Sequence, residues 1–187
     1  MLYSGSNDGG VNRIIFNHSD TTSNYQKVSI ETQASGANQA GRSNFSIRVN
    51  TANDNTNVST ADTRFFIHGT SGNVGIMTTS PSYTLQVSGD IYASGDVISF
   101  SDSRLKTDVV TIDNALDKVS SMRGVYYTNI NTQERDTGVI AQEMAEILPE
   151  VVADKGEYLG VAYGNIVGVL IEAIKELKAK IAQLENR

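Results

Sequence analysis

The chain has 187 residues, 39% of them hydrophobic, enough for one or two modest cores and so for two structural regions. Its net charge is -6: there are 5 Lys/Arg against 7 Asp/Glu up to residue 100 and 10 against 14 after it. Neither half has the concentrated basic surface that nucleic acid requires. Cysteine is absent, and His18 and His68 lie far apart in polar contexts, so no disulfide framework, metal centre or cofactor is implied. No apolar run approaches a membrane span, and Met1-Leu2-Tyr3 opens no signal peptide, so no membrane insertion is expected.

Residues 1–70 read as a β-rich knob. Val11 to Phe16, Lys27 to Ile30, Phe45 to Val49 and Arg64 to Ile67 are rich in β-branched or aromatic residues and are bounded by Asn, Asp, Gly or Ser. Phe45, Ile47 and Val49 alternate with Ser46 and Arg48, which places the apolar three on one sheet face. A small antiparallel sandwich or knob is expected. The long polar loops from Ala34 to Ser43 and from Thr51 to Asp62 have room for a receptor or glycan site, and equally have the composition of any solvated loop.

Residues 71–100 read as a repetitive connector. Three hexads overlay, Leu85 to Asp90, Ile91 to Asp96 and Val97 to Asp102, each opening on an apolar residue and closing on aspartate after glycine or serine. The period suits short strands with turns at the aspartates. Such strands bury too little alone, so neighbouring chains are expected to complete a stalk.

Residues 101–187 change character. Ile112, Leu116, Val119 and Met122 make one apolar stripe on a helix expected to start near Thr111 to Asp113 and to stop at Gly124. Gly124 to Ile130 and Thr137 to Ile140 read as strands, and Ala141 to Leu148 as a helix ended by Pro149. Val151-Val152 and Tyr158 to Val161 flank the turn signal Asp154-Lys155-Gly156, so a hairpin is expected. From 163 to 187 a helix carries Val167, Leu170, Ile174, Leu177, Ile181 and Leu184 at alternating steps of three and four, an a/d heptad. Lys180 at g and Glu185 at the next e favour a parallel arrangement. The whole is α+β.

The junction between the two compositions is Ser101-Asp102-Ser103-Arg104-Leu105-Lys106. A hydroxyl and an amine five residues apart are the makings of a nucleophile and base, although the residue types alone equally describe surface residues at a linker. The hexapeptide, the run Gly138-Val139-Ile140-Ala141-Gln142-Glu143, then Leu148-Pro149-Glu150 and a C-terminal coiled coil together resemble the intramolecular chaperone auto-processing domain. That domain ends phage tailspikes and tail fibres, including endosialidases, and recurs in myelin regulatory factors. Residues 72–76 with Thr79-Ser80-Pro81 also resemble a connector common in phage fibre proteins.

The resemblance implies a self-cleaving serine endopeptidase acting once. The scissile bond would be Phe100-Ser101, the nucleophile Ser101 and the general base Lys106. Asp102 and Arg104 would shape the turn, and Glu143 is a candidate to orient Lys106 or a solvated helix residue. In an extended strand the two Cα atoms would stand about 16 Å apart, so the chain turns between them or the lysine comes from a neighbour. The family implies a homotrimer, with a trimeric stalk and a parallel trimeric coiled coil, in a virion fibre folded and processed in the host cytoplasm. The alternatives are a non-catalytic receptor-binding tip with a permanent trimerisation cap and a cellular factor like the myelin regulators. The lack of a basic face and of a membrane span counts against the last.

Overall fold

The computed structural model describes residues 2–4, 11–19, 24–34 and 42–186, and the chain divides into two compact units, Met1–Val97 and Ile98–Arg187. Much of the Ala34 to Ser43 loop and the side chain of His18 lie outside the described residues.

The first unit is a single sheet in sequence order: β1 (Leu2–Ser4), β2 (Val11–Ser19), β3 (Asn24–Ala34), β4 (Ser43–Val49), β5 (Thr63–Ile67), β6 (Val74–Ile76) and β7 (Leu85–Val87). Every pair is antiparallel except β6 with β7, which is parallel. No second sheet packs on it among the described residues of this unit, so the expected sandwich is corrected to one layer.

Phe45, Ile47 and Val49 do share a face, but the more deeply buried face is the other one. Ser29, Glu31, Ser46, Arg48 and Thr63 are all buried there, together with Phe66. Glu31 explains this. Its carboxylate accepts from Arg13 Nε at 2.8 Å and from Ser29 Oγ at 2.6 Å, and pairs with Arg48 Nη1 at 2.7 Å. Cross-strand register sets Arg13 opposite Glu31 and Ser29 opposite Arg48, so β2, β3 and β4 are tied by one shared anion. A buried carboxylate is tolerable only when so paired.

The loop after β4 is also tied down. Asn50 donates to Thr56 Oγ1 at 3.0 Å, Val58 N to Gln26 O at 2.6 Å, and Lys27 Nζ to Asp54 Oδ1 at 3.2 Å. The Thr56 hydroxyl and N–H, with Lys27, pull the Asp54 carboxyl down to about 2.

Beyond β7 the single chain forms no strand at the hexads, whose strands are expected to be completed by neighbouring chains. Residues 88–102 form no strand, and the turn residues are unlike one another, with Gly89 at φ +142 while Gly95 stays out of the left-handed region. All of residues 88–111 are exposed.

In the second unit, α1 (Ala115–Ser121) packs on α3 (Ile166–Glu185), with Ala115, Val169 and Ala173 buried and Ile112, Leu116, Val119, Met122, Leu148 and Ile166 around them. Helix α1 starts later than its apolar stripe suggests. Asn114 takes a left-handed conformation (φ 48) with no side-chain cap, and the open N–H groups of Ala115 and Leu116 instead donate to the Glu176 carboxylate of α3, each at 2.9 Å. A carboxylate at a helix start also suits the dipole. Between these helices lie the hairpin β8 (Val125–Thr128) with β9 (Arg135–Gly138), α2 (Ala141–Ile147), a 3-10 turn opened by Pro149, and the hairpin β10 (Val152–Ala153) with β11 (Gly160–Val161).

Helix α3 is apolar on two faces. Val169 and Ala173 face α1, whereas the heptad residues Val167, Leu170, Ile174, Leu177, Ile181 and Leu184 all remain exposed.

Two measurements check these ties. Glu31→Ala should lower the unfolding free energy of the sheet by about 3 kcal/mol, because it strands the buried Arg48 guanidinium. Arg13→Ala should cost under about 1 kcal/mol, since Arg13 is partly solvated. Glu176 is held below the usual glutamate range, chiefly by the Leu116 and Ala115 N–H groups. A lowered folded-state pKa contributes stability that is present above the usual range and lost as pH falls through the lowered value. Glu176→Gln should therefore melt lower than wild type at neutral pH, with the difference shrinking in acid.

Candidate active site

The sequence from Ser101 to Lys106 makes a tight turn because of one aspartate. Asp102 caps the 3-10 helix Ser103–Leu105, its Oδ1 accepting from Arg104 N at 2.8 Å. The Arg104 guanidinium then grips the same carboxylate, Nε to Oδ1 at 3.0 Å and Nη2 to Oδ2 at 2.7 Å. Backbone bonds from Leu105 N to Asp102 O and from Lys106 N to Ser103 O, both 3.1 Å, complete the turn. Arg104 lowers the Asp102 pKa, and Asp102 raises that of Arg104, as a charge-assisted pair should.

The turn reverses the chain enough for Lys106 Nζ to donate to Ser101 Oγ at 2.8 Å. The separation that an extended strand would impose, about 16 Å between Cα atoms, is thus overcome within one chain. Ser101 and Lys106 are exposed, and the neighbouring Phe100 is 97% exposed. Geometry for proton transfer exists; exclusion of water does not arise from this chain alone.

Glu143 lies elsewhere in the interaction map. It sits in the first turn of α2 and is held by Arg123, whose Nε donates to Oε2 at 3.2 Å and whose Nη2 contacts Oε1. Arg123 lowers the Glu143 pKa and is itself raised by it. Glu143 is therefore a brace between α2 and the chain just after α1, and its carboxylate is committed to Arg123 rather than to Lys106. No short-range signal announced Arg123 as the partner, twenty positions away.

The rest of the Gly138 to Glu143 run has a packing role. Val139 N donates to Tyr163 Oη at 3.3 Å, and a Cβ on Gly138 would stand 2.5 Å from that oxygen, so a larger residue there would displace the tyrosine hydroxyl. Tyr127, Val139, Ile140, Gln142, Leu159 and Tyr163 line a cleft of about 260 Å³ there. His68 Nδ1 is 3.1 Å from Ser71 Oγ, an ordinary turn contact. Among the described residues no cluster of three or more His, Asp or Glu could hold a metal ion, and no helix is long and apolar enough to cross a membrane.

The site is thus a serine and a lysine in contact at the opening of a small α+β unit that ends in a helix with an exposed heptad stripe. Residues 101–153 match the model of the Peptidase S74 family, chaperone of endosialidase. The chain is similar to the long tail fiber protein of Enterobacteria phage K3, 34% identical over 114 residues that cover 53% of this chain and 9% of that protein. It is similar also to myelin regulatory factor homolog 1 of Caenorhabditis elegans, 32% identical over 118 residues, 57% of this chain and 13% of that one. This chain therefore spans only a small part of these relatives. A solved structure, the carboxy-terminal domain of the bacteriophage T5 L-shaped tail fiber with its intra-molecular chaperone domain, aligns with TM-score 0.41 and 13% identity over 96% of this chain and 55% of that chain.

The clamp on Asp102 is open to a direct check. In an NMR titration the Asp102 carboxyl should show a midpoint below the usual aspartate range, and Arg104→Ala should move it up toward that range.

Proposed function

We propose that the chain is the C-terminal part of a phage tail fibre or tailspike whose second unit drives trimerisation and then releases itself by cutting Phe100-Ser101. The observation that carries this reading is the 2.8 Å contact between Lys106 Nζ and Ser101 Oγ. A lysine amine in water keeps its proton at neutral pH and cannot act as a base. Withdrawal from water favours the neutral amine, and packing of sister chains over this exposed segment would supply it.

The neutral amine then takes the Ser101 hydroxyl proton while Oγ attacks the Phe100 carbonyl carbon. The C–N bond breaks as the proton is returned to the leaving Ser101 nitrogen, leaving an ester between Phe100 and Ser101 Oγ. Water hydrolyses that ester, giving a Phe100 carboxylate and a free Ser101 hydroxyl and amine. Asp102 and Arg104 hold the turn that aligns these atoms and do not enter the bond changes.

Coupling to assembly explains the order of events. Pairing of β-strands between chains is slow and exposed to aggregation, so a C-terminal unit that registers three chains helps the fibre form. Its departure leaves the product kinetically trapped. Folding and processing would take place in the host cytoplasm and the product would sit in the virion, with residues 1–70 free to meet a host surface receptor or glycan. The second reading, a permanent trimerisation cap, is favoured by the exposure of Ser101 and Lys106.

Expression of wild type beside Ser101→Ala, Lys106→Ala and Lys106→Arg separates the two. Cutting after residue 100 of 187 should leave fragments of 100 and 87 residues in wild type. Ser101→Ala should give one intact mass, and both Lys106 variants should cut at least 100-fold more slowly, the arginine because it stays charged. One intact band from correctly assembled wild type would leave the permanent cap standing.

A further inference from the structure

Strand alternation sorts the charges of β8 and β9 onto opposite faces. Tyr126 and Arg135 share one face, with the guanidinium 4.8 Å from the Tyr126 ring centroid. On the other face, register sets Tyr127 opposite Asp136 and Val125 opposite Gly138. Both Asp136 oxygens are held by neutral donors, Oδ1 by Thr137 N at 2.7 Å and Oδ2 by the Tyr127 hydroxyl at 3.2 Å. Among the described residues no Lys or Arg pairs with this carboxylate, whereas Asp54, Asp102 and Glu143 each hold one. Its charge is thus fixed in place without a counter-cation.

Tyr127 is also one wall of the cleft beside the Gly138 to Glu143 run, and Tyr163 is another. A Cβ on Gly138 would lie 2.5 Å from Tyr163 Oη and 3.6 Å from Tyr127 Cε1, so the two tyrosines converge over that glycine. Val139, Ile140, Leu159 and Val161 make the rest of the lining aliphatic, and no Lys or Arg is part of it. We propose that this cleft binds an ammonium group on an aliphatic stem, the form shared by a lysine side chain and a free alkylamine. Tyrosine rings attract a cation electrostatically, the aliphatic residues take its methylenes, and Asp136 supplies the counter-charge. An anion would meet that carboxylate unscreened. Size points the same way, since a volume of about 260 Å³ lies below that of sites for drug-sized molecules and suits a single side chain. The site uses neither Ser101 nor Lys106, and it holds whether or not the chain cuts itself.

The test titrates n-butylammonium, its neutral counterpart 1-butanol and the anion butyrate into the uncut Ser101→Ala chain at low salt, where charge attraction is least screened. With 8 tyrosines and no tryptophan, labelled tyrosine rings followed by NMR give a readable signal. Butylammonium should shift Tyr127 and Tyr163 saturably, binding about fivefold tighter than butanol, and butyrate should shift neither. Asp136→Asn keeps an acceptor for the Tyr127 hydroxyl and removes the charge. It should weaken butylammonium by about fivefold and leave butanol unchanged, while Asp96→Asn, which removes an exposed charge from the connector, should change nothing.

No saturable shift at tens of millimolar, equal affinity for amine and alcohol, or equal losses in Asp136→Asn and Asp96→Asn would each overturn the proposal. Should Asp136→Asn fail to fold, Tyr163→Leu at a half-exposed position removes one aromatic wall and should cost the amine, not the alcohol, about threefold. N-acetyl-lysine methylamide separates the two sources of the ligand. Binding about threefold tighter than butylammonium, through its amides on the exposed Gln142, assigns a lysine of a polypeptide, and equal binding assigns a free amine. Because every arm is read in a chain that cannot cut, failure of this site stays distinct from failure of the peptidase.

Discussion

Everything at the junction depends on one aspartate being bound four ways. Asp102 accepts a backbone N–H and two guanidinium N–H groups, and its own carbonyl receives Leu105 N. Without that grip, Ser101 and Lys106 would be two polar residues on a flexible connector. With it, the turn is short and fixed, and a long lysine side chain needs only to fold back across it. Proximity alone does not make a nucleophile, however. The missing ingredient is desolvation, a property of the surroundings, and in the proposed cycle its absence is what keeps the hydroxyl inert until the chains have met.

The fold was legible where local pattern decides and illegible where distant partners decide. Strands β2 to β5 and the helix α3 follow from alternation and from the heptad. Which sheet face would be buried did not follow, because Ser46 and Arg48 look like the solvent side until Glu31 supplies a shared counter-ion from the adjacent strand. The start of α1 is illegible for the same reason. Its cap is a carboxylate sixty positions away on α3, and no residue near Asn114 betrays it.

The site shows the same division. Ser101, Asp102, Arg104 and Lys106 were picked out together because one short motif contains all the interactions that shape it. Glu143 was singled out from a motif too, but its actual partner, Arg123, reaches it through tertiary structure. The hexads are the opposite case: a real repetition in sequence whose expected strands do not form after Val87. Sequence periodicity specifies which residues are alike, while strand formation also needs a neighbouring backbone, and among the described residues no strand pairs with residues 88–102.

A physical symmetry of design links the two units. The sheet closes one face with its own ions and leaves the other apolar and bare; α3 closes one face on α1 and leaves its heptad bare. In each case the chain's internal contacts account for the buried side, so the bare side is not a leftover of poor packing but a surface of regular spacing. Hydrophobic burial is worth about 25 cal/mol per Å², so leaving both surfaces in water would forgo stabilisation comparable to that of a whole domain. In the proposed cycle the unit that would leave and the unit that would stay each carry such a surface, and that is the condition under which a chaperone could depart without its client falling apart.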